Sequence, residues 1–134
     1  MINKCKGYLL STLALGLVSC NTNDAAYSKL QEVSQQMNEK CPVKMDEDMR
    51  MDSTSVKRNP LGVSYYYTVV AVNKDSLAVN LKDFEKKLKE PSQKYLDTSP
   101  ETADFRKYDV SMSYYYYDKK GVPLFNFIIK PKKE

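Results

Sequence analysis

The spacing of apolar residues predicts that the chain after residue 24 begins with an amphipathic helix. From Asp24 to Lys40, apolar side chains recur every three or four residues, which is the period of a helix with one core-facing side. The predicted core face consists of Tyr27, Leu30, Val33, Met37 and Cys41. Asp24 is the predicted N-cap, and Pro42 ends the helix because proline disfavours helical geometry at the preceding residue.

Two strands are predicted next. Residues 49–57 alternate weakly, and one face of this strand is formed by Met49, Met51, Ser53 and Ser55. Residues 63–72 follow a turn at residues 59–62 and are dense in β-branched and aromatic side chains. Because the second half of this stretch is apolar on both faces, we expect it in the interior of a sheet.

A second helix is expected to follow, with Asn80 as its N-cap and Asp83 three residues on, as in a relative of the capping box. Its apolar face repeats at Leu77, Leu81, Phe84, Leu88 and Tyr95. Pro91 predicts a kink or a break. A short helix is expected after Ser99, because a capping residue is followed there by a proline at the first helical position.

The last two strands form the clearest predicted hairpin. Residues 110–117 and 122–129 are joined by a turn in which Gly121 suits the left-handed position that closes a type I turn. The side chains expected to face the core are Val110, Met112, Tyr114 and Tyr116. The alternate set is expected to be wetter and consists of Ser111, Ser113, Tyr115 and Tyr117.

These elements follow the order α-β-β-α-β-β. Strand pairs joined by short turns favour an antiparallel sheet, so the predicted fold is α+β, with an antiparallel sheet of about four strands and helices on one face. The sequence has only 4 glycines and contains no glycine-rich phosphate loop, internal repeat or long linker. We therefore expect a single domain over residues 25–134.

The first 20 residues have the composition of an export signal. Two lysines give a positively charged start, a leucine-rich stretch ends at Leu17, and small residues precede Cys20. A membrane-spanning helix needs about 20 apolar residues, whereas only 13 residues separate the second lysine from Cys20. Residues 1–19 are therefore interpreted as a signal peptide.

The stretch Leu17-Val18-Ser19-Cys20 resembles the lipobox of bacterial lipoproteins. The resemblance implies cleavage before Cys20, a diacylglycerol on its thiol and acylation of the new amino group, with residues 20–24 as lipidated cysteine and short tether. Two lipid signals already anchor a protein stably, so this residue is the expected contact with a membrane. The alternative is an ordinary secretory leader followed by a free or disulfide-bonded cysteine.

By resemblance to Gram-negative lipoproteins, the residue after the lipidated cysteine favours a particular membrane. No acidic residue directly follows Cys20, which argues against retention at the inner membrane. The expected location is the outer membrane, with the domain facing either the periplasm or the outside.

Composition argues against several classes of function. Two of the 21 basic residues lie in the signal peptide, so 19 basic residues face 17 acidic ones in the rest of the chain, without a clustered basic stripe. Nucleic-acid binding is therefore not expected. The chain has 0 histidines, which excludes Ser-His-Asp and Cys-His catalysis and most zinc sites. We expect no enzyme activity and no cofactor.

Two further features have simple structural interpretations. Cys41 is the lone thiol of the predicted mature domain, and we interpret it as a small buried apolar residue, with an intermolecular disulfide as the alternative. The acidic residues 46–48, with Asp52 nearby, lack the spacing of a calcium-binding loop, so no metal site is predicted there.

Tyrosines are concentrated in two predicted strands, at residues 65–67 and 114–117. Alternation explains half of them as core. The others, Tyr66, Tyr115 and Tyr117, form a candidate binding face, because tyrosine combines a large rigid ring with a polar tip. The alternative is that they cover a half-exposed sheet, where tyrosine is favoured anyway.

Three short motifs also resemble a family of small, uncharacterised bacterial lipoprotein or secreted domains. They are Cys41-Pro42 after the first helix, an Asp-x-x-x-Arg-x-Asp-Ser pattern in residues 46–53, and the tyrosine-rich hairpin from Tyr116 to Gly121. The resemblance implies an α+β domain and assigns no catalytic residue.

The leading hypothesis is a lipid-anchored, non-catalytic domain of the cell envelope that binds a protein or glycan partner. One alternative is an inhibitor or immunity lipoprotein that neutralises an enzyme in the envelope. The other is an enzyme acting on envelope glycans with two carboxylates about 5–10 Å apart.

Overall fold

The computed structural model describes residues 22–72 and 80–133, so Cys20 and Leu77 lie outside the described residues. The helices and strands, in chain order, are α1 (Thr22–Lys40), β1 (Val43–Lys44), β2 (Met49–Lys57), β3 (Gly62–Val69), α2 (Leu81–Thr98), a 3-10 turn (Pro100–Thr102), α3 (Ala103–Lys107), β4 (Ser111–Asp118) and β5 (Pro123–Ile129). The predicted α+β class is confirmed.

The sheet is mixed and has five strands in the order β1-β2-β3-β4-β5, so the prediction of about four antiparallel strands is corrected in two respects. The short strand β1 is added at one edge. In addition, β3 and β4 pair in parallel, from Gly62 opposite Ser111 to Val69 opposite Asp118. The connection through α2 returns the chain to the end of the sheet at which β3 begins. Strand β4 therefore runs in the same direction as β3, as a crossover connection requires. The predicted interior position of β3 is confirmed.

A β-bulge changes which residues of β2 face the core. The register with β3 shifts between Met51 and Ser53, so the simple alternation predicted from the sequence is interrupted. Beyond the bulge Thr54 is buried, at 5% exposure, whereas Ser55 is exposed. The prediction that Ser53 and Ser55 share a face with Met51 is therefore wrong.

Helix α1 packs on β2 through most of its predicted face, and its partly buried Tyr27 and Leu30 contact buried residues of the core. Ala26 and Ser34 are its buried residues, whereas Val33 is 47% exposed. The Ser34 hydroxyl lies 2.6 Å from that of Thr54, so two small polar side chains satisfy each other at the helix–sheet contact. Asp24 lies in the first turn of the helix and is not its N-cap.

The outer edge of β2 is covered by a side chain of α1. The Asn38 amide accepts a hydrogen bond from the Thr54 N–H at 2.7 Å and donates one to the Thr54 carbonyl at 2.9 Å. Asn38 thus pairs with the strand much as a neighbouring strand would. Strand β1 pairs only with Arg50 and Met51, so the amide extends the cover of this edge.

Helix α2 begins and ends close to the predicted residues. The Asn80 side chain accepts a hydrogen bond from the Lys82 N–H, which confirms the N-cap. The helix continues through Pro91 without a break, and Leu96 near its end is fully buried. Ser99 caps the following 3-10 turn, as the sequence predicts.

The final hairpin is confirmed, and its turn is fixed by a buried carboxylate. Asp118 is 1% exposed, and its Oδ1 accepts hydrogen bonds from the N–H groups of Lys120 and Val122, both at 2.8 Å. Gly121 has φ of 80°, a left-handed conformation that glycine adopts without strain.

The hydrophobic core lies between the helices and one face of the sheet. Its larger cluster consists of Val69, Leu96, Met112, Tyr116, Phe127 and Ile129. A smaller cluster beneath α1 consists of Ala26, Leu61, Val63 and Val110. Side chains alternate along a strand, so the residues between these core positions point to the opposite face. We call that second surface the open face, because no helix of residues 22–72 and 80–133 covers it.

Candidate functional site

All three tyrosines of the predicted binding face lie on the open face of the sheet. Tyr66 is directly opposite Tyr115 on the parallel neighbour, and Tyr117 lies one row further along, opposite Thr68. Each of the three tyrosines is partly exposed. The structure therefore brings together the residues that alternation selected from two separate segments of the chain.

The geometry of the rings determines what this surface presents. The ring centroids of Tyr66 and Tyr115 are 5.2 Å apart with an angle of 12° between the planes, so the rings stack face to face. The Tyr66 hydroxyl also lies 3.2 Å from the Ser55 hydroxyl. Each ring therefore covers one flat side of the other.

A charged cluster adjoins the tyrosines at the β2 bulge. Arg50 Nε donates a hydrogen bond to Asp52 Oδ1 at 2.6 Å, and the Thr68 hydroxyl donates one to Asp52 Oδ2 at 2.6 Å. Thr68 pairs with Tyr117, so the cluster borders the tyrosine surface. From the sequence, Asp52 was named beside the acidic residues 46–48 and within a motif of residues 46–53, but not as part of a candidate site. The Arg-x-Asp spacing, which places two side chains on one face of a strand, was the available signal.

The other tyrosines of these strands are part of the core, as the alternation predicts. Burial raises the pKa of Tyr67 to about 12 and also raises the pKa values of Tyr65, Tyr114 and Tyr116 above the ordinary value of 10.0. These four phenols stay protonated near neutral pH. They stack in the core and are unsuited to act as general bases there.

An apolar groove between α1 and α3 was not predicted from the sequence. It has a volume of about 330 Å³ and a floor formed by Val63 and Tyr65. Lys29 Nζ and Asp104 Oδ2, 3.1 Å apart, join the two helices at its rim. The predicted core face of α1 includes Val33, so the α1 side of this groove was expected to be closed, which concealed the groove.

The remaining candidate positions do not form a site among the described residues. Cys41 is a partly buried free thiol. No group of three or more Cys, Asp or Glu side chains within residues 22–72 and 80–133 is arranged to hold a metal ion. In the same ranges, no helix combines the length and apolar character that crossing a bilayer requires.

Two solved structures share this fold. A Pseudomonas aeruginosa protein described as secreted has a TM-score of 0.61 and 11% sequence identity, covering 81% of this chain and 92% of its own. The pilotin of the Vibrio vulnificus type 2 secretion system has a TM-score of 0.55 and 10% identity, covering 80% of this chain and 89% of its own. At these identities the likeness is one of fold.

The fold and the open face define a small α+β domain with helices on one side of a five-stranded sheet. The chain belongs to the family described as Domain of unknown function (DUF8479), whose sequence profile matches residues 25–125. No protein with curated annotation matches the sequence.

Proposed function

We propose that the chain is a lipid-anchored, non-catalytic domain of the cell envelope that binds a protein partner through the open face. The observation that carries this proposal is the placement of Tyr66, Tyr115 and Tyr117 together on the one sheet face that no described helix covers. Partly exposed tyrosines are enriched at protein interfaces, because they contribute contact area with little loss of conformational entropy.

Ring geometry favours a protein over a glycan as this partner. Sugars bind aromatic side chains by stacking on a free, flat ring face. Tyr66 and Tyr115 instead cover one flat face of each other at a centroid distance of 5.2 Å, and each ring also carries a hydroxyl group. Such groups suit hydrogen bonds to backbone and side chains of a protein.

The chemistry at the border of the tyrosines also fits a protein interface. Arg50 and Asp52 are 45% and 30% exposed at their side chains, and their charges are already paired with each other. A paired cluster of this kind at the rim of an interface contributes more to the choice of partner than to affinity. An apolar centre of tyrosine rings with a polar border is the usual anatomy of a non-obligate interface.

The sequence and the structural neighbours support the envelope location. Cys20 ends a lipobox-like stretch, and the two neighbours in fold are a protein described as secreted and a secretion-system pilotin. The lack of histidine favours a binding role over catalysis. Acylated Cys20 would hold the domain at the outer membrane.

Photo-crosslinking in intact cells tests the binding face. A benzoylphenylalanine residue is placed at Tyr115 or Tyr117, and the matched control position is Lys89, an exposed residue of α2. We expect both open-face positions to yield the same discrete protein adduct and the control to yield none. Tyr117→Ser should reduce crosslinking from position 115 without changing the thermal unfolding of the domain. Equal adducts from Lys89, or none from the open face, would contradict the proposal.

Replacement of the cysteine tests the anchor separately. In the Cys20→Ala variant we expect accumulation of the unprocessed chain and loss of acyl-chain labelling with radioactive palmitate. Cys41→Ala is the matched control and should be processed and labelled as the parent is. A Cys20→Ala chain that is still cut and still labelled would exclude the lipid anchor.

A further inference from the structure

The two edges of the sheet differ in whether their outer backbone groups are covered. At one edge, β1 and the Asn38 amide cover β2. At the other edge, β5 is the last strand. Among the described residues, only β4 forms hydrogen bonds with the segment from Leu124 to Ile129. An open strand edge offers unpaired N–H and C=O groups to another chain.

The backbone groups of Asn126 and Ile128 point to the outer side of β5. The Lys130 carbonyl, two residues beyond Ile128, accepts a hydrogen bond from the Gln93 side chain on α2, away from β4. Backbone groups alternate in direction along an antiparallel ladder, so residues 126 and 128 share the orientation of residue 130. Both residues are exposed, Ile128 at 53%.

Most of the strand lacks the usual protection against pairing, because its proline, Pro123, and its register shift with β4 both lie at its start. Residues 124–129 are Leu-Phe-Asn-Phe-Ile-Ile, without a charge or a proline. Natural edge strands are normally interrupted by lysine, proline or a bulge that turns the edge away. Between the turn and the end of the described chain, the charges near β5 stand only at its two ends, with exposed Lys119 before the strand and exposed Lys130 and Lys133 after it.

These end charges disfavour a second copy of the chain as the occupant. In an antiparallel pair of β5 strands, the start of one strand lies beside the end of the other. Lys119 of one copy would therefore meet Lys130 and Lys133 of the next. Like charges opposite each other destabilise strand pairing, whereas acidic groups at the same positions would be attracted.

We propose that the outer edge of β5 binds an extended segment of a partner protein that adds a strand to the sheet and has an uncharged centre with acidic residues at both ends. The added strand would lie beside Asn126 and Ile128 and would extend the open face by one strand. This inference rests on the proposed function only in taking a protein as the partner.

Peptide binding to the full chain in mild detergent tests the proposal. The probe is a nine-residue peptide with alternating valine and threonine in the centre and two glutamates at each end; the comparison peptide has lysines at the ends. We expect the acidic peptide to shift the amide resonances of Asn126 and Ile128 and slow their hydrogen exchange. Its affinity should exceed that of the lysine peptide by about tenfold at low salt, and the difference should shrink as salt is added.

Two variants separate backbone pairing from side-chain contact. Asn126→Pro removes an outward N–H without touching the β4 ladder, a change that edge strands tolerate, and should abolish binding. Asn126→Ala keeps that N–H and should bind as the parent does. If Asn126→Pro does not fold, the test of edge binding is whether the peptide shifts the amide resonances of Asn126 and Ile128 in the parent chain.

Several results would overturn the inference. These are equal binding of both peptides, no binding of either, shifts at the tyrosines in place of β5, or concentration-dependent dimers formed through β5. Tyr117→Ser should leave peptide binding unchanged. Intact edge binding together with failed crosslinking from Tyr115 would therefore refute the proposed function alone, and the reverse result would refute the edge alone.

Discussion

Single residues with small or polar side chains decide several local conformations of this domain. Asp118 is the clearest case, because a fully buried carboxylate oxygen accepts two backbone N–H groups of the turn that it precedes. Hydrogen bonds to a carboxylate are stronger than those between neutral groups, so this buried side chain fixes the turn and with it the register of β5.

We expect Asp118→Ala to lower the free energy of unfolding by about 2 kcal/mol, because the N–H groups of Lys120 and Val122 lose their acceptor. Asp118→Asn keeps a carbonyl oxygen at the same place and should cost less. Urea denaturation of the three chains measures both effects. Equal losses for alanine and asparagine would show that the hydrogen bonds to Oδ1 are not the source of the stability.

Residue patterns predicted the two sides of the sheet better than they predicted the helix contact. Strict alternation correctly separated Tyr114 and Tyr116 from Tyr115 and Tyr117. Along α1, the helical period correctly selected Tyr27 and Leu30 but failed at the middle of the contact, which uses Ser34 in place of Val33. Ser34 is buried because Thr54 supplies a hydroxyl partner, and that partner enters the core only through the bulge. Hydrophobic periodicity contains no information on such a pair.

At the scale of elements, the parallel contact of β3 with β4 begins at a position that has room only for glycine. Gly62 pairs with Ser111, and a Cβ on Gly62 would lie 2.5 Å from the Ser111 hydroxyl oxygen and 3.2 Å from the Ser111 carbonyl oxygen. The two strands therefore approach closely where the central pairing starts.

Gly62→Ala should lower the free energy of unfolding by about 1–3 kcal/mol, the usual range for overpacking. Ser111→Ala removes the nearer oxygen, so the same substitution should cost less in that background, with the carbonyl contact leaving part of the cost. A double-mutant cycle by chemical denaturation measures this coupling. An identical cost of Gly62→Ala in both backgrounds would locate the strain elsewhere.

Elements were easier to predict than their neighbours. The caps at Asn80 and Ser99 and the turn at Gly121 are local signals, and the structure confirms them. Strand pairing is not local. The tyrosine-rich strands β3 and β4 could pair in either direction without changing which side chains face the core. The sequence therefore could not predict the parallel arrangement, or which residues lie opposite the tyrosines of the candidate site. The two-residue strand β1 is too short to show any period.

At the scale of the whole molecule, the buried phenols link global stability to alkaline pH. The pKa values of Tyr65, Tyr67, Tyr114 and Tyr116 are raised by burial in the folded state, whereas in the unfolded chain they return to about 10.0. A raised folded pKa contributes stability that is complete below the unfolded value and is lost as pH rises through the folded value.

The domain should therefore keep its stability up to about pH 10 and lose it progressively from there through pH 12, the value for Tyr67. Ultraviolet titration should show the four core tyrosines ionising in a late phase that coincides with loss of circular dichroism. In the Tyr67→Phe variant, one phenol fewer should ionise in the late phase. Ionisation of all tyrosines near pH 10 without unfolding would contradict the claim that burial raises the pKa values of the core tyrosines.

Helix α1 begins at Thr22, close in sequence to the cysteine that we propose is lipidated. If Cys20 carries the lipid, only one residue lies between the acylated position and the helix, and an extended chain spans at most about 3.6 Å per residue. The domain would then sit against the headgroups with little freedom to search the space beyond them. Its binding partner would have to come to the bilayer surface. Proteins that stay further from the membrane could then not bind the domain, whatever their affinity for it.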